Sequence, residues 1–178
     1  MDTILIFSDA ATSSKMNMAV GAFLCLNRKN MQDYAEFSIE DLYSKLVNSV
    51  MYQKYNSKKS TWSEIKIVID ALNYLNNSQS IRKIEIYTDC QSLCDLLGKR
   101  KKTLQKNNYL TRTGKIINNA DLYKELYTIS EKFQIDTFKI KGHNSKSNRT
   151  ILQEKIFSIL DKLSRKKMRS LLAGVTSI

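Results

Sequence analysis

Three strand-like runs follow one another near the start of this chain, and strand and helix then alternate to its end. "TILIFSDA" (Thr3 to Ala10) is a continuous apolar run closing on Asp9, as a buried strand requires. "MAVGAFLCL" (Met18 to Leu26) and "SVMYQKYN" (Ser49 to Asn56) follow, and the three together suit an antiparallel meander. Gly21 marks a close approach or a bulge in the second run. The helical pattern "TWSEIKIVIDALNYLNN" precedes a fourth strand, "RKIEIYTD", and "CQSLCDLLG" reads as a short helix closed by Gly98. A helix from about 119 to 132 precedes the fifth strand, "QIDTFKI", and a long helix runs from 150 to about 172. The order predicts an α/β fold: a mixed five-stranded sheet, three antiparallel strands then parallel ones, flanked by helices. The 178 residues suit one domain over 1–178. Between the second and third runs, near 30–47, Ser38 followed by Asp41 signals a helix start.

Two of the strands end on an acid. Asp9 and Asp89 both fall at carboxyl ends, the edge outside which open α/β sheets bind ligands. Each alone is also a reasonable cap of the segment that follows. Glu64 has two readings as well. "Thr61-Trp62-Ser63-Glu64" fits a capping box, in which the glutamate reaches back to the capping residue. Glu64 also shares a stripe with Val68, Ala71 and Leu75, which aims its carboxylate at the sheet. Asp161 interrupts the apolar final helix at the edge of its Ile156–Leu160–Leu163 face, one turn before a possible partner, Arg165. Four converging carboxylates would repel one another by about 4 kcal/mol per pair at ~4 Å and an effective dielectric of ~20. Such a cluster holds protons or binds a cation, and all-oxygen ligation suits magnesium or manganese rather than zinc.

Charge indicates the kind of partner. The chain carries 29 basic and 17 acidic residues, a net charge of +12. Seven of the basic residues (Lys99, Arg100, Lys101, Lys102, Lys106, Arg112 and Lys115) lie between 99 and 115 with no acid among them. A second cluster, Lys162, Arg165, Lys166, Lys167 and Arg169, crowds the last helix. A solvated face kept for solubility ordinarily mixes both signs, whereas runs of one sign attract phosphates. No run is long enough to span a membrane. The amino-terminal "ILIF" is too short for a signal core and follows Asp2 rather than a basic region. Cys25, Cys90 and Cys94 form neither a disulfide framework nor a metal-binding pattern, so a cytoplasmic protein with reduced thiols is expected.

Taken together, these pieces resemble the type 1 ribonuclease H family over most of the chain. The matching features are the first strand ending in Asp9, "TWSEIKIVIDAL" with Glu64, and "IEIYTDCQ" with Asp89 and Gln91. "LTRTGKIINNADLYKEL" is similar to the family's approach to the helix before the last strand. "IKGH" carries His143, the only histidine, and "LDKLSR" resembles the ending that holds the family's fourth acid, here Asp161. The chain departs from the family in placing Ala10 and Ala11 after the first aspartate, and in the extra segment between the second and third strands. The spacing from His143 to Asp161 is long, and Glu154 stays open as an alternative fourth acid.

The resemblance implies two-metal endonucleolytic hydrolysis of the RNA strand in RNA–DNA hybrids. Asp9, Glu64, Asp89 and Asp161 would hold two Mg2+ ions, with Mn2+ as a substitute. It also implies that Gln91 touches the hybrid and that His143 relays a proton from a loop. Lys99, Arg100, Lys101, Lys102 and Lys106, in a basic protrusion near 99–115, would grip substrate. A monomer needing no protein partner is expected. Two other readings use the same residues: a recombinase- or resolvase-type nuclease on this fold, and a non-catalytic nucleic-acid-binding module.

Overall fold

Five strands hydrogen-bond into one sheet: β1 (Asp2–Ser13), β2 (Met18–Asn27), β3 (Met51–Tyr55), β4 (Ile81–Thr88) and β5 (Gln134–Lys139). Their order across the sheet is β3-β2-β1-β4-β5. The computed structural model describes residues 2–76, 81–141 and 151–174. β1 pairs antiparallel with β2, and β2 with β3, while β4 and β5 add in parallel. This is the expected mixed sheet. β1 runs three residues further than its apolar stretch suggested, because the turn into β2 keeps pairing as far as Ser13 with Met18.

Aromatic residues fix the parallel register. Phe7 pairs with Tyr87, and Tyr87 with Phe138. The three rings stack across adjacent strands, 5.0 Å between centroids at each step. Cross-strand aromatic contacts of this kind disfavour a slip in register. Asp9 and Asp89 each stand two residues beyond a paired member of this ladder, so they arrive side by side.

Strand alternation divides the core into two layers. Ile6, Ile84 and Ile86 face α2 (Ser60–Asn76), α3 (Gln91–Leu97), α4 (Lys99–Lys106) and α5 (Ala120–Ser130). Leu5, Phe7 and Leu24 face α6 (Leu152–Leu172) and α1 (Ile39–Leu46). α1 starts where expected, with the Ser38 side chain accepting from the Asp41 amide. It buries Leu42 and Leu46 beside α6, so the segment between β2 and β3 becomes part of the second layer. A 3-10 stretch, Arg28–Tyr34, leads into it. Arg28 there pairs with the buried Glu85, which also accepts from the Tyr87 hydroxyl at 3.0 Å.

Gly98 ends α3, as the sequence suggested, but its backbone is not left-handed (φ −104°, ψ −115°). The chain resumes as α4 at the next residue. The basic stretch therefore opens as a helix, held down by Leu104 in the first layer.

Gly21 is a point of close approach, and the β1–β2 register passes it without a bulge. A Cβ placed there would meet three side-chain carbons of Ile67 at 2.8 Å. The bare backbone lets α2 settle onto the sheet one turn after Glu64. Gly21→Ala is expected to lower stability by about 1–3 kcal/mol, the usual cost of overpacking, and Gly21→Val by more. Urea titration checks this; an unchanged midpoint for Gly21→Val would mean that the helix is free to lift away.

Candidate metal centre

Asp9 comes from β1, Asp89 follows the last residue of β4, and Glu64 projects from the start of α2. One carboxylate oxygen from each lies within 4.8 Å of the others. Asp9 and Glu64 are buried, each with 6% exposure, and Asp89 is half-buried. Asp161 and Arg165 of α6 line the same cleft, together with Ala10, Ser60, Cys90 and Gln91.

Glu64 does not complete a capping box. α2 begins at Ser60, which places Thr61 inside the helix rather than at its cap. The Glu64 carboxylate turns toward the sheet, where Oε1 accepts from the Ala10 amide at 3.2 Å. Its Oε2 is buried and has no hydrogen-bond partner among the described residues. An uncompensated buried carboxylate oxygen is costly, and a cation is one of few groups that relieves it.

Sequence reasoning missed Ser164. This fully buried α6 residue donates its hydroxyl to Asp9 Oδ2. The Ser164 oxygen is also 3.0 Å from the Asp161 carbonyl, but its one proton serves one acceptor, and a carboxylate is the stronger. The place of Ser164 on the apolar face of the helix, three residues after Asp161, does not set it apart from a core serine. Asp161 pairs with Arg165 at 2.7 Å, the boundary pairing considered from sequence, yet both side chains still face the cleft.

Burial raises the pKa of Asp9 from 3.8 to about 6, against the Ser164 hydrogen bond, and the charges of Asp161 and Asp89 raise it further. Burial likewise holds Glu64 well above the ordinary carboxylate range, with Asp9 and Asp89 adding repulsion and the Ala10 amide opposing. Three oxygen donors, two of them poorly tolerant of negative charge in isolation, are a set that could hold a divalent cation.

The other expected residues are distributed around this centre. Gln91 opens α3 at the cleft, its amide donating to Asp95 at 2.9 Å. Lys99 pairs with Asp95 at 3.2 Å, and Arg100, Lys102 and Lys106 are exposed on α4. Lys101 is turned inward, its ammonium 5.3 Å from the Tyr127 ring and 3.4 Å from the Ser130 hydroxyl. None of these five cations lines the acidic cleft. Glu154 lies in the first turn of α6 and does not line it either. His143 lies outside the described residues. The three cysteines are free thiols, and burial pushes Cys25 up to about 12 and Cys90 up to about 11. Among the described residues no helix is long and apolar enough to cross a membrane.

Comparison with known proteins bears on the family and the fold. A family model described as RNase H matches residues 1–153. The ribonuclease H of Orientia tsutsugamushi (strain Boryong) is 35% identical over 81 residues, 46% of this chain and 46% of that protein. The ribonuclease H of Caldanaerobacter subterraneus subsp. tengcongensis is 33% identical over 82 residues, 46% of this chain and 52% of that protein. The chain thus spans about half the length of the relatives it matches. Among solved structures, LC9-RNase H1, a type 1 RNase H with the type 2 active-site motif, superposes with a TM-score of 0.66. That likeness has 10% identity and covers 93% of this chain and 72% of the other. The PFV RNase H domain gives a TM-score of 0.65 at 16% identity, covering 93% and 92%. Both likenesses concern the fold.

Proposed function

The chain belongs to the RNase H family, and from that premise we propose that it hydrolyses the RNA strand of RNA–DNA hybrids endonucleolytically. The observation that carries this reading is the convergence of Asp9, Glu64 and Asp89, with Glu64 Oε2 buried and unpartnered. Asp9, Glu64 and Asp89, with Asp161 at the rim, would hold two divalent ions, and all-oxygen donors favour Mg2+ or Mn2+. When bound, such ions stabilise the attacking and leaving oxygens of an in-line displacement.

The chain's own residues supply the rest. Ser164 fixes the orientation of the Asp9 carboxylate, and Arg165 holds Asp161 against the cleft. Gln91, at the cleft mouth, exchanges its contact with Asp95 for the minor groove of the hybrid, where RNA 2′-hydroxyls are displayed. His143, outside the described residues, would relay a proton and assist product departure. A cytoplasmic monomer is sufficient for this activity.

Cleavage of hybrid, duplex RNA and duplex DNA, each with and without Mg2+, tests the proposal. Hydrolysis confined to the RNA of the hybrid and lost on chelation is the expected result. Duplex DNA cleavage would mean a recombinase-like nuclease, and metal-independent binding without cleavage a binding module.

α4 grips rather than cuts. Changing Lys99, Arg100 and Lys102 to alanine is expected to raise KM for hybrid far more than it lowers kcat. The salt dependence of binding should become shallower by roughly 2–3 units, as three lost phosphate contacts require. Lys101→Ala should instead lower the melting temperature, because that side chain packs on Tyr127. An unchanged salt slope in the triple variant would place the substrate elsewhere.

A further inference from the structure

From Lys162 to the end of α6 the chain carries five cations and no acid. Two of them are engaged: Arg165 with Asp161 at 2.7 Å, and Lys167 over the Tyr52 ring at 5.9 Å. Lys162, Lys166 and Arg169 stand at i, i+4 and i+7, so they form one stripe along the helix. All three are exposed, and among the described residues none forms an ion pair with an acid. Among the described residues, the one side-chain hydrogen bond of the three runs from Arg169 Nε to the Arg165 carbonyl, at 3.3 Å.

The stripe forms one wall of a groove. Tyr43 of α1 forms the other, and Leu163 lies at the floor. α1 belongs to the segment between β2 and β3, so that segment completes the groove as well as the core. The acids of α1, Glu40 and Asp41, lie in its first turn, Asp41 held by the Ser38 hydroxyl at 2.7 Å, while Lys45 occupies its last turn. The groove begins where the acidic cleft ends. Asp161 and Arg165 line the cleft, and the next residue after each, Lys162 and Lys166, lines the groove. α4 cannot serve the same purpose, because its Leu104 anchors it in the opposite layer of the fold.

We propose that the α1–α6 groove is a second nucleic-acid docking surface, engaging the phosphate backbone where the nucleic acid continues beyond the segment in the cleft. Charge complementarity selects a polyanion, and continuity with the cleft through α6 selects the same molecule. The proposal rests on the hybrid-cleavage reading only for the identity of what occupies the cleft.

The test uses the whole chain with Lys162, Lys166 and Arg169 changed to alanine, beside the chain that keeps all three. Both carry Asp89→Asn so that the ligand stays intact. Fluorescence anisotropy over a salt series compares two ligands: a hybrid just long enough to fill the cleft, and the same hybrid extended by a duplex arm. For the extended ligand the triple variant is expected to bind more weakly, with a salt slope shallower by roughly 2–3 units. For the short ligand the two proteins should match. Equal melting temperatures show that the fold is kept, and Lys83→Ala in β4, Lys124→Ala in α5 and Lys132→Ala just after α5, made together, remove the same charge as a control.

An unchanged slope for the extended ligand would overturn the proposal. Equal losses on both ligands would also do so, by assigning the three residues to the footprint of the cleft. Binding of the unaltered chain to anionic phospholipid vesicles, with no gain from the arm, would make the groove a lipid surface instead. Failure of the wild-type chain to cleave hybrid would remove the proposed activity, yet leave an arm-dependent difference in binding standing.

Discussion

Asp89→Asn is expected to reduce hybrid hydrolysis by about 10³-fold or more, the rate equivalent of ~4 kcal/mol, while leaving the fold intact. Asp89 stands just past the end of β4, half-buried, where its carboxylate meets Asp9 and Glu64 without anchoring either core layer. Asparagine keeps its shape and removes one charge from the ligand set. Several kcal/mol of transition-state stabilisation are within reach of a bound metal ion, and all of it depends on that ion's position. Hybrid binding should hold or tighten, because one fewer negative charge faces the phosphates. Turnover at saturating hybrid, with binding measured separately, gives both quantities. If the variant kept more than about a tenth of wild-type turnover, the loss would be under ~1.4 kcal/mol, and Asp89 would not be a metal ligand.

Glu64→Gln should separate activity from stability in opposite directions. Glutamine keeps an oxygen for the Ala10 amide and fills the same space, so packing is preserved. Turnover should fall by at least ~10²-fold, since a neutral amide is a poor ligand for a hard cation. The metal-free protein should become more stable at neutral pH. Burial and the neighbouring aspartates raise the Glu64 pKa, so the folded state holds this proton to higher pH than the unfolded chain does. Stability from this group therefore falls as pH rises above the ordinary value of 4.5. Asp9 adds to the fall between 3.8 and about 6, by roughly 3 kcal/mol at most. The melting temperatures of Glu64→Gln and wild type, both in chelator, should nearly coincide at pH ~4 and diverge upward for the variant toward pH ~7. A variant less stable than wild type across that range would show that Glu64 serves as a structural acceptor and not as a ligand.

Much of this site was legible because strand ends and helix faces obey short-range rules. Asp9 and Asp89 close apolar runs of β1 and β4, and parallel pairing of two such strands brings their ends together. The stripe from Glu64 through Val68 and Ala71 to Leu75 gave the orientation of α2, and all four residues are buried. The capping box failed for a local reason: α2 starts at Ser60, so Thr61 lies within it and the Glu64 carboxylate goes to the amide of Ala10. Ser164 was not legible. A serine in an apolar helix face has no distinguishing pattern, and its role depends on a partner at the other end of the chain. The inward turn of Lys101 was hidden similarly, because Lys99 to Lys106 reads as uniform charge until Leu104 fixes which side of α4 is down.

The Ser164–Asp9 hydrogen bond spans 155 positions in sequence, which has a consequence for the order of events at the ribosome. Chains emerge amino terminus first, and a contact over such a separation can form only after α6 has been made. By then β1 to β5 can already pair, and Asp9, Glu64 and Asp89 can already be neighbours. Until α6 arrives, Leu5, Phe7 and Leu24 have only α1 to shelter them, and Asp9 lacks its hydroxyl donor. Until then that face of the nascent sheet stays largely exposed and apolar. A ribosome stalled before α6 would hold a chain with paired strands but with neither Ser164 nor Asp161 yet beside Asp9.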